Sequence, residues 1–156
     1  MFRKILVPLD GSDCSEAGLA QAIGLAKAGG GVLRLLHVID VYPLGLGLGV
    51  EWGGAEGWET MIESAREQGR ALLDRGQAAA RAQGVAAESE IVEFPATRVA
   101  DAIVEDAAGH GCDLIVMGSH GRRGFGRLLL GSDAERVLRT SALPVLVVHA
   151  PEAPAV

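Results

Sequence analysis

Leu114-Ile-Val-Met-Gly-Ser-His-Gly-Arg-Arg-Gly-Phe-Gly-Arg-Leu-Leu-Leu-Gly-Ser-Asp-Ala-Glu135 is the stretch on which the fold turns. Its first four residues are a compact apolar run, the mark of a buried strand. Its last four, Ser132 to Glu135, have the form of a capping box opening a helix. Between them lies a glycine-rich loop that runs from the carboxyl end of a strand to the amino end of a helix. Unpaired N–H groups and the helix dipole favour a phosphate at such a place. Glycine by itself marks only a mobile surface loop. Here Arg122, Arg123 and Arg127 share the loop with five glycines, and no acid occurs between Asp113 and Asp133. In a chain with a net charge of −6, that concentration of positive charge points to an anion.

Outward from this stretch, apolar runs alternate with helical periodicity. Lys4-Ile-Leu-Val-Pro-Leu9 is nearly continuous, as in a strand covered on both faces of a parallel sheet. Asp10-Gly-Ser-Asp13 breaks it, with Ser12 or Asp13 able to cap a helix. That helix carries Leu19, Ala22, Ile23 and Ala26 on one face and ends at Gly29-Gly-Gly31. Val32 to Val38 reads as a second strand. Residues 42–58 lack periodicity; Gly45, Gly47 and Gly49 alternate with leucines, which weakens a strand assignment and suggests a flexible flap. Glu59 to Gln83 reads as a long helix with Met61, Ala65, Gly69, Leu72, Gly76 and Ala79 facing a sheet. Glu88 to Glu93 is a more polar, edge-like strand. Pro95 stands where the next helix would start, with Val99, Ala102 and Ile103 on its inner face. A helix over Ser132–Thr140 turns Ala134, Val137 and Leu138 inward, and Pro144 to Val148 is the last strand. Strands alternating with helices imply an α/β doubly wound parallel sheet, a single domain over residues 1–150 with 151–156 as a disordered tail.

Composition narrows the function. The 156 residues are 49% hydrophobic, enough for one substantial core. Aromatic residues make up only 4%, which argues against a stacking platform for single-stranded nucleic acid. The acidic balance argues against nucleic acid in general and against anionic membrane surfaces. Cys14 and Cys112 are few and far apart, and with no signal peptide in front they read as reduced thiols of a cytoplasmic protein. No apolar run reaches the roughly 20 residues of a membrane-spanning helix.

Gly118, two residues, Gly121, nine residues and Gly131-Ser132 resemble the Gly-x2-Gly-x9-Gly-Ser/Thr loop of the ATP-binding universal stress proteins. Ile5-Leu-Val-Pro-Leu-Asp10, Leu36-His-Val-Ile-Asp40 and Pro144-Val-Leu-Val-Val148 extend the resemblance along the chain. It implies a three-layer α/β/α sandwich of the adenine-nucleotide alpha-hydrolase-like kind, with five parallel strands in the order 3-2-1-4-5. It also implies an ATP-binding (or ADP- or AMP-binding), nucleotide-responsive regulatory dimer paired through the last strand, Pro144–Val148, and active in stress resistance.

Ligands of such sheets bind beyond the carboxyl ends of the strands, where the strand order reverses. With the implied order, Pro8–Asp10 would face Met117–Gly121. Asp10 on its own is a turn residue or cap; the resemblance makes it the acid that contacts the ribose or a Mg2+ ion. By the same carry-over Val38 meets the adenine through its backbone, and Pro8 and Met117 wall the pocket. Gly118 and Gly121 allow the backbone close to phosphate. Gly131, Ser132 and Asp133 supply the helix start. Arg122 and Arg123 are solvated unless a phosphate tail draws them in, and His120 reads equally as a donor to phosphate or as an exposed bystander. His37, His110 and His149 show no zinc spacing.

No catalytic set stands out. There is no nucleophile elbow, and Gly126-x4-Gly131-Ser132 lacks the lysine of a phosphate-transfer loop. The expectation is a binding protein, not an enzyme, with at most slow ATP hydrolysis. The rival reading keeps the fold without ATP, as a chaperone-like or protein-interaction member using the Trp52–Trp58 segment. Adenylating pyrophosphatases, dinucleotide dehydrogenases and phosphoacceptor receivers each need residues after the first strand that Asp10-Gly-Ser-Asp-Cys-Ser15 does not supply.

Overall fold

Alternate residues of the central strand face opposite ways, and each side of the sheet collects its own core. Ile5, Val7 and Leu9 join Leu33, Leu35 and Val116 beneath one pair of helices. Leu6 joins Leu36, Ile115 and Met117 beneath the other pair. The computed structural model describes residues 1–40, 54–93, 97–121 and 130–150. Its elements in order are β1 (Lys4–Pro8), α1 (Asp13–Gly29), β2 (Val32–Ile39), α2 (Gly54–Ala82), β3 (Ala87–Glu93), α3 (Val99–Gly109), β4 (Leu114–Gly118), α4 (Ser132–Thr140) and β5 (Val145–Val148). The strands form one parallel sheet ordered β3-β2-β1-β4-β5, the order implied by the loop's resemblance. The helices α1 and α2 cover one face, and α3 and α4 the other.

Local chemistry explains most of the boundaries. Ser12 caps α1, its hydroxyl oxygen accepting from the N–H of Ser15 at 3.2 Å. Gly30 ends that helix in the left-handed region at φ 65°, which only glycine adopts at little cost. The small-residue face of α2 is real: a Cβ on Gly69 would lie 2.7 Å from His37 Cδ2, and one on Gly76 2.9 Å from Leu35 Cδ1. The helix therefore lies nearly on the sheet.

Four expectations need correction. The helix α2 begins at Gly54 rather than Glu59, taking the end of the segment read as a flap; residues 42–53 of that segment lie outside the described residues, as do Pro95 and the tail. Ala79 is exposed, and Ala80 is buried in its place, because a step of four from Gly76 stays on the sheet-facing stripe where a step of three leaves it. Leu138 is 45% exposed; the short α4 buries only the stripe of Ala134 and Val137. The helix N-cap is Gly131, not Ser132, and no side chain caps it.

One buried interaction had no sequence signal beyond an arginine inside an apolar strand. Arg34, with 5% of its side chain exposed, donates from Nε and Nη2 to the two carboxylate oxygens of Asp106 at 2.6 and 2.7 Å. A third bond runs from Nη1 to Glu88 at 3.3 Å. The guanidinium thus ties β2 to α3 and β3.

Candidate functional site

The strand order reverses between β1 and β4, and the carboxyl ends of these strands open a cleft of about 970 Å³. At the end of β1, Asp10 folds back on the chain. Its Oδ1 accepts from the Ser12 N–H at 2.9 Å and from the Ser12 hydroxyl at 2.6 Å. This is the Asx-type turn that favours aspartate at a strand-to-helix junction, so the turn reading of Asp10 accounts for one of its two oxygens. The other faces the second loop: a Cβ on Gly121 would come within 2.8 Å of Oδ2. A side chain at 121 would meet this carboxylate and force it to swing aside.

At the end of β4 the chain makes a closed excursion. Ser119 donates its N–H to Val148 at 2.8 Å, and its carbonyl accepts from Gly131 at 2.8 Å. Gly131 is packed on this turn, since its Cβ would lie 3.2 Å from the Ser119 oxygen and 3.4 Å from His120 Cα. Gly118 lines the cleft and also serves the packing of the fold. Its missing Cβ makes room for the backbone of α1, with Cys14 C and Ser15 N at 2.7 and 2.9 Å. The glycine lets the first turn of α1 sit on β4, which is what brings Asp10 and Gly121 together.

Pro8, Asp10, Val38, Met117, Gly118, His120, Gly121, Gly131, Ser132 and Asp133 all line this one cleft. Segments far apart in the chain and singled out separately thus converge on one volume. Arg122, Arg123 and Arg127 lie outside the described residues. The amino end of α4 lines the cleft with a glycine as its cap and, among the described residues, no side-chain hydrogen bond capping it, and Asp133 and Glu135 add two acids to its first turn. An anion held there must therefore be gripped by main-chain N–H groups and by cations from elsewhere.

The far wall was missed by sequence reasoning. Ala65, Gln68, Ala71, Leu72 and Arg75 of α2 line the cleft opposite α4, at spacings of three and four that put them on one stripe. Two long polar residues recurring at seven in that stripe, beside the glycine face, were the available signal. His37 lines the same wall. Its Nδ1 lies 2.7 Å from the carbonyl of Leu9, and because a carbonyl only accepts, Nδ1 carries the proton.

Among the described residues no group of three or more His, Cys, Asp and Glu could by itself hold a metal ion. Magnesium seldom needs one, because it is commonly bound by one or two carboxylates together with substrate phosphates. Both cysteines are free. Burial pushes the Cys112 thiol up to about 11, while Cys14 lines a second, smaller groove with Gly11, Ser12 and Gly121. No helix among the described residues is long and apolar enough to cross a membrane.

Comparison with known proteins agrees with this geometry. The model of the universal stress protein family matches residues 1–149. Universal stress protein MJ0531 of Methanocaldococcus jannaschii is 39% identical over 153 residues, covering 97% of this chain and 85% of that protein. Universal stress protein MJ0577 of the same organism is 30% identical over 162 residues, covering 95% of each. Its solved structure superposes with a TM-score of 0.77 over 98% of this chain and 99% of that one. A universal stress protein crystallised in complex with cAMP is 26% identical, with a TM-score of 0.67 over 96% and 98% of the two chains.

Proposed function

The chain belongs to the universal stress protein family, and from that premise we propose that it is a nucleotide-responsive regulator whose cleft binds ATP, or ADP or AMP, with Mg2+. The observation that carries this reading is the convergence of Asp10, Gly121 and the uncapped amino end of α4 on one cleft at the reversal of the strand order. Two features test the fit of a nucleotide there. Gly121 leaves a cradle against Asp10 that any Cβ would fill. His120 Nε2 is buried with no hydrogen-bond partner among the described residues, an atom in want of an acceptor or a donor. The cAMP complex of a related protein supports an adenine nucleotide over other anions.

In this reading Pro8, Val38 and Met117 wall the base and ribose, and Asp10 holds the ribose hydroxyls or the metal. Gly118 shapes the floor. Gly121, Ser132 and Asp133 present main-chain N–H groups to the phosphates, with His120, Arg122 and Arg123 as further donors, while Gly131 donates its own N–H to Ser119 and so sets the start of α4. The bound Mg2+ would neutralise phosphate charge; the chain's own residues bind and orient. In this reading the protein is a binder rather than an enzyme, with hydrolysis slow at most, because its loop lacks the lysine of a phosphate-transfer loop. The regulatory unit is a cytoplasmic homodimer joined through β5.

Titration calorimetry with ATP and Mg2+, alongside mass spectrometry of nucleotide carried through gentle purification, tests the binding. A saturable heat is expected, with a thermal stabilisation worth about 2.7 kcal/mol at a ligand concentration a hundredfold above Kd. No heat and no thermal shift would move the chain to the chaperone-like, interaction-only reading.

A further inference from the structure

Ser119 and His120 are the two residues that the glycine spacing leaves open between Gly118 and Gly121. Ser119 is fully buried although polar. Its hydroxyl lies 3.0 Å from His120 Nδ1 and 3.7 Å from Cys14 Sγ. Its backbone is fully occupied, with the N–H on Val148 and the carbonyl on Gly131. Beyond it, His120 Nε2 is buried and has no hydrogen-bond partner among the described residues. Buried polar atoms in folded proteins are almost always satisfied, and an exception asks for a cause.

The cause follows from where the protons go. In the row Cys14–Ser119–His120, the imidazole nitrogen is the best acceptor and the hydroxyl the best donor, while the thiol is weak in either role. The strongest arrangement has the hydroxyl donating to Nδ1 and the thiol S–H donating to the hydroxyl oxygen. The reverse order would spend the hydroxyl proton on sulfur. With Nδ1 accepting, the neutral ring carries its proton on Nε2. The two imidazoles of the cleft then have opposite polarity: His37 is protonated on Nδ1 by its bond to Leu9, and His120 on Nε2.

We propose that Ser119 is a positioning residue that holds His120 in its Nε2–H tautomer, so that an uncharged imidazole stands as a hydrogen-bond donor to a phosphate oxygen of the bound nucleotide. The ligand half of this statement rests on the nucleotide reading above; the tautomer half does not. The placement suits a phosphate, because His120 Cα lies 3.4 Å from the Cβ position of Gly131, at the amino end of α4.

The tautomer is read by 15N NMR on imidazole-labelled, nucleotide-free protein, at a pH high enough that the rings are neutral. The His120 signals are identified by their loss in His120→Gln. The expected spectrum shows Nε2 protonated and Nδ1 as the bare, accepting nitrogen. Ser119→Ala should then give a mixture of tautomers and weaken ATP binding about three- to tenfold, the worth of one hydrogen bond. His120→Gln, which places an N–H near the position of Nε2, should bind ATP better than His120→Leu. A wild-type ring protonated on Nδ1, or a Ser119→Ala spectrum identical to that of wild type, overturns the proposal, and the wild-type spectrum decides even if the variant folds poorly. Failure of the wild-type protein to bind ATP would instead sink the nucleotide reading, leaving the spectrum to judge Ser119.

Discussion

The main-chain N–H of Gly131 donates to the carbonyl of Ser119 at 2.8 Å, so the chain that leaves β4 returns to within one hydrogen bond of its departure. This clasp fixes the start of α4 against the end of β4, whatever lies between. It explains how a long loop can belong to a defined site: its two ends are set by the sheet. Replacing Gly131 by Val crowds the clasp, because even a single Cβ would lie 3.2 Å from the Ser119 oxygen. The expected cost is about 1–3 kcal/mol in urea unfolding, as for other overpacked positions, together with a loss of ATP binding in calorimetry. An unchanged unfolding midpoint with unchanged binding would show that the clasp does not matter.

Gly118 and Gly121 look alike in sequence and should behave differently when substituted. A Cβ at 118 meets the backbone of α1, which cannot yield without moving the helix, whereas a Cβ at 121 meets only the end of the Asp10 side chain, which can swing. Gly118→Ala should therefore lower global stability by about 1–3 kcal/mol. Gly121→Ala should stay within about 1 kcal/mol of wild type while binding ATP at least tenfold more weakly. Equal effects of the two on stability would contradict this division of roles.

These two glycines also mark how far the sequence could be read. The strands and most inward-facing residues were legible, because period and apolar runs are local properties: Ile5, Leu19, Leu33 and Val116 all lie in the core. The residues of the loop spacing come together in one cleft with the end of β1. What the spacing could not say was which way each glycine's missing side chain would point, since that depends on where α1 lands. The α2 wall was hidden for the same reason. Gln68 and Arg75 become cleft residues only once Gly69 and Gly76 have brought the helix down on His37 and Leu35. Arg34 was illegible in a third way, its partner Asp106 lying on a helix on the other side of the chain's crossover.

Breaking that last pair should be costly. Asp106→Ala leaves the guanidinium of Arg34 buried with only Glu88 and the more distant Glu90 beside it. Removing one partner of a buried ion pair typically costs about 3–5 kcal/mol, readable as a fall in the urea midpoint at unchanged m-value. The double variant Arg34→Met with Asp106→Leu should recover most of the loss, because Glu88 keeps its 2.6 Å bond to Lys4. A double variant no better than Asp106→Ala would mean that the pair contributes more than charge compensation.

Cys112 makes a pH-dependent prediction. Burial raises its thiol from 9.0 to about 11, so between those values the unfolded chain has released a proton that the folded protein still holds. Fewer protons on the unfolded state means that stability falls as pH rises through this window. Urea midpoints below pH 9.0 and again near 11 should show the decline in wild type and a shallower one in Cys112→Ala. At neutral pH an alkylating reagent should modify the half-buried Cys14 before Cys112, as peptide mass mapping would reveal; faster labelling of Cys112 would refute its placement in the core.

The dimer proposal turns on β5. This strand closes one edge of the sheet, paired on one side with β4 from Ile115–Val145 to Gly118–Val148. A bare edge carrying Val-Leu-Val-Val invites pairing with another chain, and two copies related by a twofold axis would pair it antiparallel with its mate. The outward residue is Leu146, at 39% exposure, whereas Val145 is half-buried against the core beneath α3 and α4. Val145→Lys would thus weaken the core as well as any interface, and Leu146→Lys is the cleaner probe. Sedimentation or a sizing column should show the wild type as a dimer and Leu146→Lys as a monomer of unchanged circular dichroism. A wild-type monomer, or a dimer indifferent to the charge at 146, would remove β5 from the interface.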